Sequence, residues 1–212
     1  VADLPIDLGG SLNERLARCL DIEGKIPRAL EALGPVRGRD VLLVGTPGGL
    51  RERQLAELGA RVHVAPDSDQ ALAAQDDSSV DVVIGMWTSF RAAAPREVNE
   101  AQRVARPDGR LLVLHDYGRD DVSRLRGDLP EYGSWSQRSG PFLGGGFHVR
   151  VIHCFWTFES IDDATYFLAA AFGEAGQEVA RSMKRPRLSH NVAVYHRDIG
   201  TEPDGPRRRT DA

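Results

Sequence analysis

Cysteine is scarce in this chain: Cys19 and Cys154 are the only two in 212 residues. Two cysteines so far apart make neither a disulfide framework nor a zinc-ligand spacing. That excludes a small stapled scaffold and leads us to expect free thiols in a reducing cytoplasm. Long apolar runs are lacking too. None approaches the roughly 20 residues that a membrane-crossing helix needs, so no membrane segment is expected, and no signal peptide is seen at the start. Opening on Val1 rather than Met, the chain is expected to lack a few leading residues. An excess of basic charge is also missing, with 27 Lys and Arg against 31 Asp and Glu and a net charge of −4. Broad nucleic-acid or anionic-membrane binding is therefore not expected. Internal repeats are absent, which removes solenoids from consideration.

What is present is ordinary globular material. Hydrophobic residues make up 41% and charged residues 27%, enough for a real core. The length fits one domain, expected over residues 1–198 with N-terminal helices in 1–37. The Gly-, Pro- and Arg-rich stretch 199–212, with Arg207-Arg208-Arg209, reads as a disordered tail.

Hydrophobic periodicity predicts alternating elements. Ser11 is placed to cap a helix over Leu12–Glu23, and a second helix covers Ile26–Leu33. Val41–Val44 is apolar on both faces and runs into Gly45-Thr46-Pro47-Gly48-Gly49, as a central parallel strand ending in a glycine loop does. A helix over Leu50–Leu58, a strand over Arg61–Ala65 and a short helix over Asp69–Gln75 follow. Val80–Met86 is a strand, Pro95–Val104 a helix, Arg106–Gly109 a turn and Arg110–His115 a buried strand. One or two helical turns are expected over Asp120–Arg126. Residues 127–146, rich in glycine, predict a broken helix and a flexible loop. A strand over Phe147–Phe158 precedes a helix capped by Ser160, with Ile161, Ala164, Phe167, Leu168 and Ala171 on its inner face. A further helix covers Glu174–Met183, and the last strand is Asn191–His196. This order implies a mostly parallel sheet covered on both faces, with ligands beyond the carboxyl ends of its strands.

Several of these segments resemble the class I S-adenosylmethionine-dependent methyltransferase family. Val41–Gly49 is similar to its first strand and glycine loop, and Gly59–Val64 to its second strand. Val80–Ile84, with Asp81, is similar to its fourth. Arg103–Val113 resembles its helix–turn–fifth strand segment and is the most specific match. The resemblance implies a Rossmann-like α/β methyltransferase fold with a last antiparallel strand, S-adenosylmethionine as cofactor and a small-molecule acceptor or an unidentified protein partner.

Four departures qualify it. Leu43 stands where the family carries an acid, and Pro47 replaces the middle glycine of the loop, fixing φ and removing an N–H. Pro66 aligns with the ribose-binding acid, leaving Asp67 one residue on. Only about eight residues separate Leu72 from Asp81, too few for the usual third strand and adenine loop, so one edge strand is expected to be missing. The alternative is therefore a catalytically inactive methyltransferase-like module that binds or scaffolds.

The resemblance and the strand ends together give candidate site residues. Gly45, Thr46, Gly48 and Gly49 would cradle the cofactor at a helix N-terminus, or simply make a tight turn. Asp67 and Ser68 would hold the ribose, or cap a helix. Met86 and Trp87 would touch cofactor or acceptor, or pack. His115, Asp116 and Tyr117 end a central strand and are candidate proton acceptors, or loop caps and ion-pair partners. Residues 127–146 are expected to form a flap over these three through Trp135 or Phe142. His153 and Cys154 point to opposite faces of one strand, so no metal site is expected.

Overall fold

The computed structural model describes residues 2, 4–45, 47–67, 69–127, 129 and 131–200. Two short helices, α1 (Gly10–Cys19) and α2 (Lys25–Leu33), precede the alternating part. This runs β1 (Asp40–Val44), α3 (Leu50–Glu57), β2 (Arg61–Ala65), α4 (Asp69–Ala73), β3 (Val80–Met86), α5 (Pro95–Val104) and β4 (Ala105–Asp116). Three short helices follow, α6 (Asp121–Leu125), α7 (Glu131–Trp135) and α8 (Pro141–Gly144). The chain closes with β5 (His148–Thr157), α9 (Ile161–Ser182) and β6 (Arg187–Asp198).

Among the described residues the strands form one six-stranded sheet in the order β2-β1-β3-β4-β6-β5. The first four are mutually parallel, and β6 runs antiparallel to both β4 and β5. Period-two alternation divides the strands between two cores. Val41, Leu43, Leu112, Leu114, Val192 and Val194 face one side with α1, α2 and α9 residues. Leu42, Val44, Leu111, Val113, Ala193 and Tyr195 face the other, with α5, Trp135 and Phe142. Because β1, β3 and β4 are buried on both faces, they read as continuous apolar runs.

The short gap after Leu72 has the expected consequence. Residues 74–79 form turns and link α4 directly to β3, and β2 is left as a sheet edge. Its outward residues Arg61 and His63 are exposed, as a strand paired on one side tolerates. Asp81 lies at the amino end of β3, opposite the end that leads into the Met86-Trp87 turn. It accepts the Asp40 N–H at 2.9 Å and pairs with Arg106 at 2.8 Å, while Asp40 also pairs with Arg61 at 2.7 Å. These groups tie the amino ends of the strands together.

Several boundaries differ from expectation. Helix α1 begins at Gly10 with Gly9 as its N-cap, so Ser11 lies inside the helix and does not cap it. The helix ends at Cys19 because Leu20 bridges to Trp156 on β5. The turn expected at 106–109 is absorbed into β4. There Val80 pairs with Ala105 and Val82 with Arg110, a bulge that accommodates Pro107 and Gly109. The two helices expected after Ser160 are one element, α9, kinked at Gly173 (φ 58°, ψ −131°). Ser160 caps it by accepting the Asp163 N–H at 3.0 Å, but Ile161 is exposed, not inward. Strand β6 extends four residues beyond the expected start, to Arg187. Ile199 is buried and donates its N–H to the Gly109 carbonyl, so it belongs to the domain, whereas residues 201–212 lie outside the described residues.

Candidate functional site

Parallel pairing brings Gly45, Asp67, Trp87 and Tyr117 to one edge of the sheet. Because β6 is antiparallel, its start at Arg187–Asn191 lies at the same edge. Gly45 continues the β1–β2 ladder by donating to the Ala65 carbonyl at 3.0 Å, and a Cβ there would stand 3.4 Å from the Met86 side chain. Gly48 adopts φ 71°, with open space where a Cβ would lie. It therefore needs the left-handed freedom of glycine. Gly49 is the extended N-cap of α3 and makes no side-chain cap. The Gly48 N–H is bonded at 2.6 Å to the Glu52 carboxylate in the first turn of α3. Thr46 and Ser68 lie outside the described residues; Asp67 is exposed just past Pro66.

Behind the loop is an unexpected buried ion pair. Arg51, 1% exposed, approaches Asp21 at 3.7 Å and Gln54 at 2.5 Å. The Asp21 carboxylate accepts the Lys25 and Ile26 N–H groups at 3.0 and 2.8 Å, which caps α2. The N-terminal helices are thereby locked onto the glycine-loop helix.

The segment after β3 is strained. Trp87, Phe90, Ala92 and Ala93 all have φ between 40° and 54°. Such residues persist only where their surroundings over-determine them, and they concentrate at functional sites. Ser89, fully buried, closes the turn by accepting the Met86 N–H at 2.9 Å. Met86 and Trp87 are both buried, and the Trp87 indole N–H has no hydrogen-bond partner among the described residues.

His115, Asp116 and Tyr117 are adjacent in sequence but do not gather into one constellation. His115 faces the second core, 4.7 Å from the Trp135 ring and 5.8 Å from Phe142. Burial, reinforced by the Arg91 charge, pushes its pKa down to about 4, so it is a neutral imidazole at pH 7. Asp116 points to the other face. There its carboxylate meets His190 Nε2 at 2.7 Å and Arg126 at 2.5 Å. Burial works to raise the Asp116 pKa, but the His190 hydrogen bond and the Arg126 charge outweigh it and hold the carboxyl below its ordinary value. Tyr132 lies close to the same carboxylate, and burial, then the Asp116 charge, raise its phenol. Tyr117 is half-buried, donates its N–H to the Asn191 carbonyl at 2.8 Å, and lies under Arg119.

Among the described residues of 127–146, Trp135 and Phe142 lie against His115 as part of the second core. Trp135 is 5% exposed and Phe142 is fully buried, stacked on Tyr195 at 3.9 Å. They sit on the short helices α7 and α8, packed on the sheet face, rather than on the expected flap.

Sequence reasoning missed His190, Arg126, Asp21 and Arg51. His190 fell one residue outside the expected last strand, and only the antiparallel register of β4 with β6, Asp116 opposite Val192, brings it to Asp116. Among the described residues no three His, Cys, Asp or Glu side chains are grouped to hold a metal, and no helix is long and apolar enough to cross a membrane.

No protein-family model matches the chain, and no curated protein matches its sequence. Solved structures do match. One is a protein proposed to be a type II methyltransferase from Anaeromyxobacter dehalogenans, at 19% identity and TM-score 0.53, covering 84% of this chain and 96% of that one. Another, from Anabaena variabilis ATCC 29413, is proposed to be a methyltransferase of an antibiotic biosynthesis pathway. It is 17% identical with TM-score 0.53, covering 85% and 98%. The chain has the class I methyltransferase fold. The glycine loop, Asp67 and Met86-Trp87 lie together at the carboxyl edge of its parallel strands.

Beside the changes at Leu43, Pro47 and Pro66, some of the residues present suit S-adenosylmethionine. Gly48 leaves open space where a Cβ would lie, Asp67 is exposed, and the Trp87 N–H is an uncommitted donor. A further alteration is Glu52. Its carboxylate already takes the Gly48 N–H, at the helix end that would otherwise favour the carboxylate of a methionyl group.

Proposed function

We propose that this protein is an S-adenosylmethionine-dependent methyltransferase acting on a small-molecule acceptor. The observation that carries this reading is the strained Met86–Ala93 turn, with Met86, Trp87, Ser89 and Phe90 buried, next to an open, left-handed Gly48 at the carboxyl edge of a sheet with the methyltransferase fold. Gly45, Gly48, Gly49, Asp67, Met86 and Trp87 hold the cofactor, with Thr46 and Ser68 in the same two loops. When bound, the cofactor supplies an electrophilic methyl group on a sulfonium. The protein's task is then to position the acceptor in line and to accept its proton. Asp116 and Tyr117 border that space, while His115 supports it from the opposite face of the sheet. The two free, buried cysteines support a cytoplasmic location.

Calorimetry with S-adenosylmethionine and S-adenosylhomocysteine tests the reading. We expect weak binding, because Pro47 and Pro66 remove two familiar contacts and Glu52 competes for a third. Each lost charge-assisted hydrogen bond typically costs about 1.5–3 kcal/mol, roughly tenfold to a hundredfold in affinity. Low-micromolar or tighter binding would show that the altered loop makes other contacts. No binding of either compound at millimolar concentration would sink the enzyme reading and favour an inactive module.

A further inference from the structure

We infer that His190 is the proton acceptor of the reaction and that Asp116 is the residue that positions it; this rests on the methyltransferase reading above. The two side chains share one face of the sheet. Asp116 ends β4, and His190 lies two residues along β6 from Val192, its partner in register. Asp116 Oδ1 is 2.7 Å from His190 Nε2, and its other oxygen is 2.5 Å from Arg126. His190 is fully buried, and its Nδ1 has no hydrogen-bond partner among the described residues. The Trp87 ring, from the strained turn, stacks over the imidazole with centroids 6.0 Å apart, and its own N–H is also unpartnered. An unsatisfied acceptor and an unsatisfied donor therefore lie on neighbouring buried rings at the carboxyl edge of the parallel strands. Buried polar groups are rarely left in that state without a function or a ligand to complete them.

The tautomer follows from the partners. A carboxylate only accepts hydrogen bonds, and Arg126 pairs with Asp116 as a carboxylate. His190 Nε2 must then carry the proton, which leaves a lone pair on Nδ1. A proton acceptor must start neutral, and Arg126 already pairs with the Asp116 charge. During transfer a bond forms between the acceptor atom X and the methyl carbon. The carbon–sulfur bond breaks and its electron pair returns to sulfur. The proton on X passes to Nδ1, and the resulting imidazolium is held by Asp116, the division of roles seen in acid–histidine dyads generally. The chemistry suits an acceptor that bears a hydroxyl, which donates to Nδ1 while its oxygen accepts from the Trp87 N–H. His190 has no exposed surface, so Trp87 or Arg126 must move aside to admit it.

Long-range proton–nitrogen NMR of the full chain at pH 7, with His190→Gln to assign the signal, tests this directly. The expected result is a neutral imidazole protonated on Nε2. Asp116→Asn, whose amide can donate, is expected to move the proton to Nδ1, with circular dichroism checking that the variant is folded. If Asp116→Asn does not fold, Arg126→Gln serves instead and is expected to keep the Nε2 tautomer. A wild-type imidazole protonated on Nδ1, or doubly protonated, overturns the assignment. So does a tautomer that either variant leaves contrary to these expectations. Titration with S-adenosylhomocysteine separates the two readings. Calorimetric binding with a shifted His190 signal supports the assignment. Binding that leaves the signal unmoved overturns the assignment alone, and no binding overturns the methyltransferase reading and the base with it.

Discussion

His115 and Trp135 show how one face of a strand decides what a polar residue can do. Both belong to the second core, and Trp135 is 5% exposed against His115, Phe142 and Tyr132. Trp135→Ala is therefore expected to cost about 3–5 kcal/mol of folding stability, read by chemical denaturation. A loss under about 1 kcal/mol would return Trp135 to the role of a lid. His115 gives a pH signature with a definite sign. Its folded pKa is about 4, below the unfolded value near 6.5, first through burial and then through Arg91. Between those values the unfolded chain binds the extra proton, so stability is complete above about pH 6.5 and falls as the pH drops toward 4. The size of the shift corresponds to about 3 kcal/mol. Unfolding curves of wild type and His115→Gln across that window should differ in slope, and parallel curves would remove His115 as the source.

At the scale of elements, helix α3 is closed at its first turn by its own Glu52. A carboxylate there stabilises the helix dipole while occupying the donor that an anionic ligand would use. Glu52→Gln is expected to tighten S-adenosylmethionine binding by several-fold, about 1 kcal/mol of relieved competition, with a small loss of stability. Unchanged or weaker binding in the calorimeter would show that the methionyl end does not approach α3. The same scale shows what was legible in the sequence. The strands β1, β2 and β3 and the helix α5 fall where periodicity places them, because apolar runs and glycine or proline stops are local signals. The start of α1 was not legible, since a capping serine is a local preference that packing overrode. Nor was the length of β6, whose first residues, Arg187 and Ser189, are polar or exposed and join the sheet only by pairing with β5.

For the whole molecule, the missing edge strand leaves β2 paired on one side and half open to water. Amide exchange should be slowest in β1, β3, β4 and the middle of β6, which are flanked on both sides, and faster in β2. Equal protection in β2 would mean that another segment or a second chain covers that edge.

The sequence by itself determined the strand and helix order, the two-sided burial of the central strands, the glycine loop and the lost edge strand. All of these are written in the spacing of apolar residues and in the number of residues between them. It also marked residues 115–117, at the end of a central strand, as candidate proton acceptors or ion-pair partners. Only the tertiary structure decided which of those residues work together. Neighbours on a strand point to opposite faces, so His115 went into a core and Asp116 into a polar cluster. The partners of Asp116 come from 10 and 74 residues away, Arg126 from just beyond α6 and His190 from the last strand. Their meeting depends on an antiparallel register that no local pattern encodes. Asp21 and Arg51 met for the same reason: each is an ordinary charged residue in sequence, and burial against the other element gave it a structural role.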